Sequence, residues 1–270
     1  MSLHRSALKV SLCTMLAGAA LAPAHADILP PGEAREDAAA EAAVSDWKIV
    51  LGGGVALVPE YEGGDELEVS PFPLVSISWR DFIFLDGRGL GINVIHTKDF
   101  QVGAAIGYAP GREEDDAEIL RGLGDIDPAA RAQIFASYSL GFARLRASVS
   151  RDLGGSEGTQ AELGLQSMIP VSDDLRLTGG VSATWADDAY MESYFGVTPT
   201  QSLNSGLPIY EAGAGFKRAD VSVGLIWNMT ETWFVRSEAK VGYLFGDAAD
   251  SPITQNELQP SFMVGLGYRF

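Results

Sequence analysis

The chain has 270 residues, 19 of them basic and 36 acidic, for a formal charge of −17 with histidine neutral. That balance argues against nucleic acid as a partner, because a phosphate backbone is bound through a surplus of Lys and Arg. Hydrophobic residues make up 46% and glycines number 31, while the one cysteine, Cys13, leaves no basis for a disulfide framework or a Cys-based metal site.

At the N-terminus Arg5 and Lys9 precede the apolar run VSLCTMLAGAALA, which ends near the small-residue site Ala24-His25-Ala26. This is the form of a secretory signal peptide cleaved after Ala26. The run is shorter than the roughly 20 residues needed to span a bilayer. Residues 27–46, DILPPGEAREDAAAEAAVSD, are rich in Pro, Ala and acid with no strand period, and they read as a disordered periplasmic leader.

From residue 47 to residue 270 the pattern alternates, as it does in strands with two unlike faces. Trp47, Ile49, Leu51, Gly53, Val55 and Leu57 fall on one face, opposite Lys48, Val50, Gly52, Gly54, Ala56 and Val58. The connection PEYEGGDELEVS and the strand FPLVSIS follow, then the short connection WRD and FIFLDGRGLGINVI, read as a hairpin turning at DGRG. Val102, Ala104, Ile106 and Tyr108 begin the next repeat, and further strands include TQAELGLQSMI, LRLTGGVSATW and one beginning near Tyr210. In WFVRSEAKVGYLF, Trp233, Val235, Ala239 and Val241 oppose Arg236, Glu238 and Lys240. The chain ends on FMVGLGYRF, an alternating strand that closes with Tyr268 and Phe270.

A soluble sandwich alternates too, but three features favour lipid. Most of these strands run near ten residues, as tilted membrane strands do, whereas strands in globular proteins are usually about 5–6 long. All five tryptophans, Trp47, Trp79, Trp185, Trp227 and Trp233, fall near strand ends, where an aromatic girdle meets the headgroups. Short and long connections also alternate, the long ones including GREEDDAEILRGLGDIDPAA and ADDAYMESYFGVTPTQSLNSGLP. The expectation is an all-β, transmembrane antiparallel barrel of twelve strands with both termini periplasmic. Ten is the alternative count if the segment around residues 82–85 does not pair.

Several stretches together resemble the MipA/OmpV family of outer-membrane proteins: VPEYEGGDE, GYAPGREED with LRGLGDID, DDAYMESYFGV, and GDAADSPI ahead of a C-terminal Phe. The resemblance implies an outer-membrane barrel that acts as a scaffold, linking a membrane-bound lytic transglycosylase to a penicillin-binding protein in peptidoglycan remodelling. It also implies contact with outer-membrane lipid and lipopolysaccharide. Tyr268 and Phe270 would form the assembly signal read by the barrel-insertion machinery. No catalytic residue carries over from the family.

The chemistry read from the residues agrees with a non-enzyme. His4 and His25 lie in the signal, so His96 is the one histidine of the exported chain, in the turn HTKD, with no partner for nucleophilic catalysis. The run Glu113, Glu114, Asp115, Asp116 lacks the spacing of a calcium loop, and LGGGV and GLGIN are incomplete nucleotide loops, so no cofactor or metal is expected. Arg144, Arg146, Arg176, Arg236, Glu238 and Lys240 take the inward parity, lining a narrow pore or closing it. Two other roles stay open: a small-solute or drug-permeable channel using these charges, and an adhesin using the long loops.

Overall fold

The structure is a computed structural model that describes residues 46–270. The signal and all of the leader except Asp46 lie outside the described residues. Twelve antiparallel strands close into a barrel: β1 (Trp47–Pro59), β2 (Leu67–Trp79), β3 (Ile83–Asp86), β4 (Gly89–His96), β5 (Phe100–Ala109), β6 (Ala129–Ser139), β7 (Arg144–Asp152), β8 (Thr159–Pro170), β9 (Leu175–Ala186), β10 (Gly215–Asn228), β11 (Trp233–Leu244) and β12 (Leu258–Arg269). Each strand pairs with its sequence neighbours, and β1 closes on β12 with Val50 opposite Arg269 and Leu57 opposite Phe262. The expected count of twelve is the observed one.

The outer face is apolar and bare. Val55, Ile106, Ile134, Leu163, Val181, Val223, Val241 and Phe262 are all exposed, a belt that only lipid can cover in a stable monomer. Their strand neighbours turn inward, so the barrel is transmembrane and its polar groups line the interior. No described helix is long and apolar enough to cross a membrane. The strands cross instead, their backbone groups paired to neighbouring strands along most of the wall, with β2 meeting β3 only through Ile77, Ser78 and Trp79.

One end carries both described termini and short turns, the other carries the long loops. At the short-turn end Arg80 and Asp81 both take positive φ in the three-residue connection from Trp79 to Ile83, a tight turn closed by the Phe82 amide on the Trp79 carbonyl. Trp47, Trp79, Trp227 and Trp233 stand at this end, and Trp185 stands at the other. Trp233 meets Tyr268 edge-on at 4.9 Å, and Tyr268 meets Phe270 at 4.7 Å. The Phe270 amide bonds the Ile49 carbonyl, so the terminal aromatic is tied to the closing seam.

Three boundaries differ from the sequence reading. The first long connection is only residues 60–66, because β2 begins at Leu67 and runs through Pro71 and Pro73. Proline argues against a strand only where its missing N–H is needed, and here it is not. Tyr210 belongs to an isolated bridge with Val197 rather than to β10, which starts at Gly215. The long segment 187–214 is not bare loop: it holds the helices α1 (Asp188–Phe195) and α2 (Pro199–Ser205).

Candidate functional site: a loop lid over a charged chamber

The long loops fold together over the barrel mouth. Asp187 caps α1 by accepting from the Tyr190 amide at 3.0 Å, and Thr198 with Gln201 forms a capping box on α2, which Pro199 starts. One core packs Tyr190, Met191 and Phe195 of α1 against Ala186, Ala212, Leu244 and Ala248. A second joins Tyr61, Leu120, Leu123, Val197 and Ile253, drawn from four different loops. Buried hydrogen bonds stitch the pieces: the Tyr61 hydroxyl donates to the Ile253 carbonyl at 2.8 Å, and the Ser251 hydroxyl to the Phe195 carbonyl at 2.6 Å. The acidic run is tied to backbone, with the Glu114 carboxylate accepting from the Gly122 and Gly124 amides and Asp116 from the Glu113 amide.

Beneath the lid lies a polar chamber of about 40 Å³, lined in part by Ser148, Ser150, Gln160, Ser182 and Thr184 of β7 to β9. Its charged roof is built by three elements. Glu62 descends from the 60–66 loop, and Lys217 Nζ donates to both its oxygens at 2.8 and 2.7 Å. The Tyr190 hydroxyl donates to Glu62 at 3.0 Å and accepts from Lys217 at 3.0 Å. Arg218 pairs with Asp220 at 2.7 Å and stands 3.8 Å from Glu62. Next to it Arg131 holds Asp152 at 2.6 Å.

A local irregularity makes this possible. The β9–β10 register jumps from Phe216 opposite Trp185 to Arg218 opposite Thr184, which leaves Lys217 as a bulge residue. Lys217 and Arg218 therefore both point inward, where strict alternation would send one of them into lipid. A Lys or Arg on the lipid face costs about 2–4 kcal/mol at the midplane, so adjacent cations in a barrel strand are the sequence sign of such a bulge. The alternation count passes over that sign, and it passes over Glu62 and Tyr190, whose role depends on a loop folding inward.

The loop groups of the roof titrate accordingly. Burial works to raise the Glu62 carboxyl, but Lys217, Arg218 and the Tyr190 hydroxyl outweigh it and hold it below the usual glutamate value. Burial, with the Glu62 charge beside it, pushes the Tyr190 hydroxyl well up. Burial and nearby Asp152 push Tyr194 up to about 12. At neutral pH the tyrosines are thus donors and Glu62 is ionised.

The inward charges named from the sequence do not form one site. Arg236 and Glu238 are buried and bonded to each other at 3.0 Å, and Lys240 lines the chamber. Arg144 and Arg236 line a second cavity of about 180 Å³ toward the short-turn end, with Gln166, Thr178 and Ile226. Arg146 projects from β7 between the lipid-facing Leu145 and Ala147, and Arg176 lies within electrostatic reach of Arg269. Beside that second cavity a buried cluster of Val50, Leu74, Ile226 and Phe234, with Phe72 and Met168 against it, occupies part of the interior of the short-turn half. Among the described residues no group of His, Asp and Glu is arranged to hold a metal.

The family profile described as "MltA-interacting protein MipA" matches residues 51–270, nearly the whole barrel and lid. The chain belongs to the MipA family. It is 23% identical over 233 residues to the MltA-interacting protein of Escherichia coli K12, covering 84% of this chain and 92% of that one. The Shigella flexneri MltA-interacting protein matches to the same extent. Among solved structures the NanC porin aligns with 82% of this chain and 100% of its own at 9% identity and a TM-score of 0.46. The outer membrane channel DcaP of Acinetobacter baumannii aligns with 83% and 96% at 8% identity and a TM-score of 0.40. The stretches that carried the MipA resemblance are the lid itself: VPEYEGGDE supplies Tyr61 and Glu62, LRGLGDID supplies Leu120 and Leu123, DDAYMESYFGV forms α1, and GDAADSPI supplies Ala248 and Ile253.

Proposed function

We propose that this MipA-family barrel is a non-enzymatic outer-membrane scaffold that holds a peptidoglycan-remodelling enzyme, of the lytic transglycosylase class, at its periplasmic end. The observation that carries the reading is the family match over residues 51–270, together with relatives whose name is that of an MltA-interacting protein. In this reading the termini and short turns face the periplasm and the lid faces outward. A penicillin-binding synthase joins the same assembly.

The physics sets where the partner sits. A stable interface buries roughly 1,200 Å² or more in total, and turns of three or four residues supply little of that. Residues 27–46 therefore belong to the binding surface, beside the exposed Phe142 and Val171 of the short turns. The experiment is crosslinking in the periplasm with tagged full-length protein and with a version lacking residues 28–46. Recovery of a lytic transglycosylase that falls on deletion supports the scaffold. No such partner at matched levels of folded barrel overturns it.

The adhesin reading keeps one specific observation in its favour. Leu203 on α2 is 87% exposed and Ile209 is 59% exposed, both on the outer surface of the lid. A cell-binding assay with Leu203→Ser and Ile209→Ser variants separates that role from the scaffold.

A further inference from the structure

The barrel wall is complete around the short-turn half but not around the other. On its β3 side β2 pairs only through Ile77, Ser78 and Trp79, because β3 is four residues long and turns back at Gly87 and Arg88. β4 leaves β5 at Leu90 opposite Ile106. Above that hairpin β2 has no strand on this side, from Leu67 to Ser76, and neither has Tyr108 of β5. Two strands are missing from the wall here, so β2 and β5 are separated by about three strand spacings, on the order of 14 Å.

The direction of the backbone groups identifies what can fill the opening. The Arg80 amide bonds Asp46 on the β1 side, and Phe82 bonds the Trp79 carbonyl on the β3 side. Even residues of β2 therefore face β1, and Val69, Pro71, Pro73 and Val75 face the opening. The two prolines sit on the open edge, where they remove two of the donors that an added strand would need. An orphaned N–H is costlier to leave than a carbonyl with a spare lone pair, so this edge is built to stay unpaired.

The surroundings are apolar on both sides. Val69, Pro71, Pro73, Leu90, Ile106 and Tyr108 border the opening and are exposed outward. Toward the interior β2 presents Phe72 and Leu74, and the buried cluster of Phe84, Ala105 and Phe135 lies beside the opening at the level of the β3–β4 hairpin, whereas the opposite wall, β7 to β9, carries Ser148, Gln160 and Ser182. The nearest cation, Arg88, is taken: it is bonded to Asp86 at 2.6 Å and lies over the Phe84 ring at 4.3 Å.

From this geometry we propose that the gap between β2 and β5 is a lateral portal occupied by the acyl chain of a membrane lipid. A tail needs no donors, matches the apolar border, and enters from the medium that already covers it. The portal goes beyond the scaffold reading and does not depend on it.

The test uses full-length protein with Cys13→Ser and a single labelled cysteine, in phosphatidylethanolamine and phosphatidylglycerol vesicles with or without brominated chains. Ser70→Cys and Ser76→Cys place a bimane inside the wall beside the portal. Ser148→Cys places it inside an intact wall, and Val149→Cys places it in lipid. With folding checked by the heat-dependent shift on a gel, brominated lipid should quench the Ser70 or Ser76 label about twofold more than the Ser148 label, approaching the Val149 label. Equal quenching at all inward sites overturns the portal. Low quenching at Ser70 that rises when the protein is diluted to monomer overturns the lipid occupant and places a second copy there.

Discussion

At the scale of single residues, the Glu62, Lys217 and Tyr190 group locks the lid to the wall. Lys217 and Glu62 are buried together, and removing Lys217 leaves Glu62 with the Tyr190 hydroxyl and the longer 3.8 Å contact to Arg218, a loss below the roughly 3–5 kcal/mol of a fully uncompensated buried charge. That cost falls on the lid, since the strand ladders do not depend on it. Lys217→Met should therefore leave a folded, heat-modifiable barrel whose 187–214 segment is cut faster by an added protease. Acid should do the same. The Glu62 carboxyl is held below its ordinary value in the folded lid, so its contribution is present above about pH 4.3 and is lost as the pH falls through its depressed value. Protease sensitivity of the loop should thus be flat from neutral pH down to that point and rise below it. A rise already complete at pH 6 would contradict the role given to Glu62.

At the scale of elements, inward glycines make room for aromatic rings on the next strand. A Cβ on Gly267 of β12 would stand 2.4 Å from the Phe234 ring of β11, and one on Gly103 of β5 would stand 2.4 Å from the Phe135 ring of β6. Each ring takes the space that a side chain at the glycine would need. This use of glycine runs against its low strand propensity, which is offset by the ring packing. Gly267→Leu should force Phe234 out of place and cost about 1–3 kcal/mol as overpacking. The change would be read as a lower midpoint in the heat-dependent gel shift, and an unchanged midpoint would refute the packing role.

At the scale of the whole molecule, the interior is obstructed twice. The lid closes the long-loop mouth, and Val50, Leu74, Ile226 and Phe234 narrow the short-turn half. Purified protein in a planar bilayer should give no stable conductance steps at neutral pH, and steps of a uniform open channel would turn the reading toward the solute channel. The four family-like stretches lie far apart in the chain yet meet in one lid. The long-loop end is thus a single packed unit on the barrel.

The alternation of side chains, read with strand length, tryptophans at strand ends and the parity of the loops, pointed to a barrel of twelve strands with ten as the alternative, and to which residues turn inward wherever the period is unbroken. Those properties are local: a strand has a period of two, and a lipid face tolerates no charge, so each segment reports its own orientation. The expectation for Arg236 and Glu238 came from that parity, since each simply occupies an even position on β11. Only the tertiary structure decided that Lys217 joins Arg218 inside, because a bulge breaks the period over one residue and its register depends on the strand beside it. It alone decided that Glu62 and Tyr190 meet, since they are brought together by loops whose closure is governed by packing across 128 positions of chain. The open edge of β2 was written in Pro71 and Pro73, but its meaning required knowing that β3 stops after four residues and leaves that edge facing lipid.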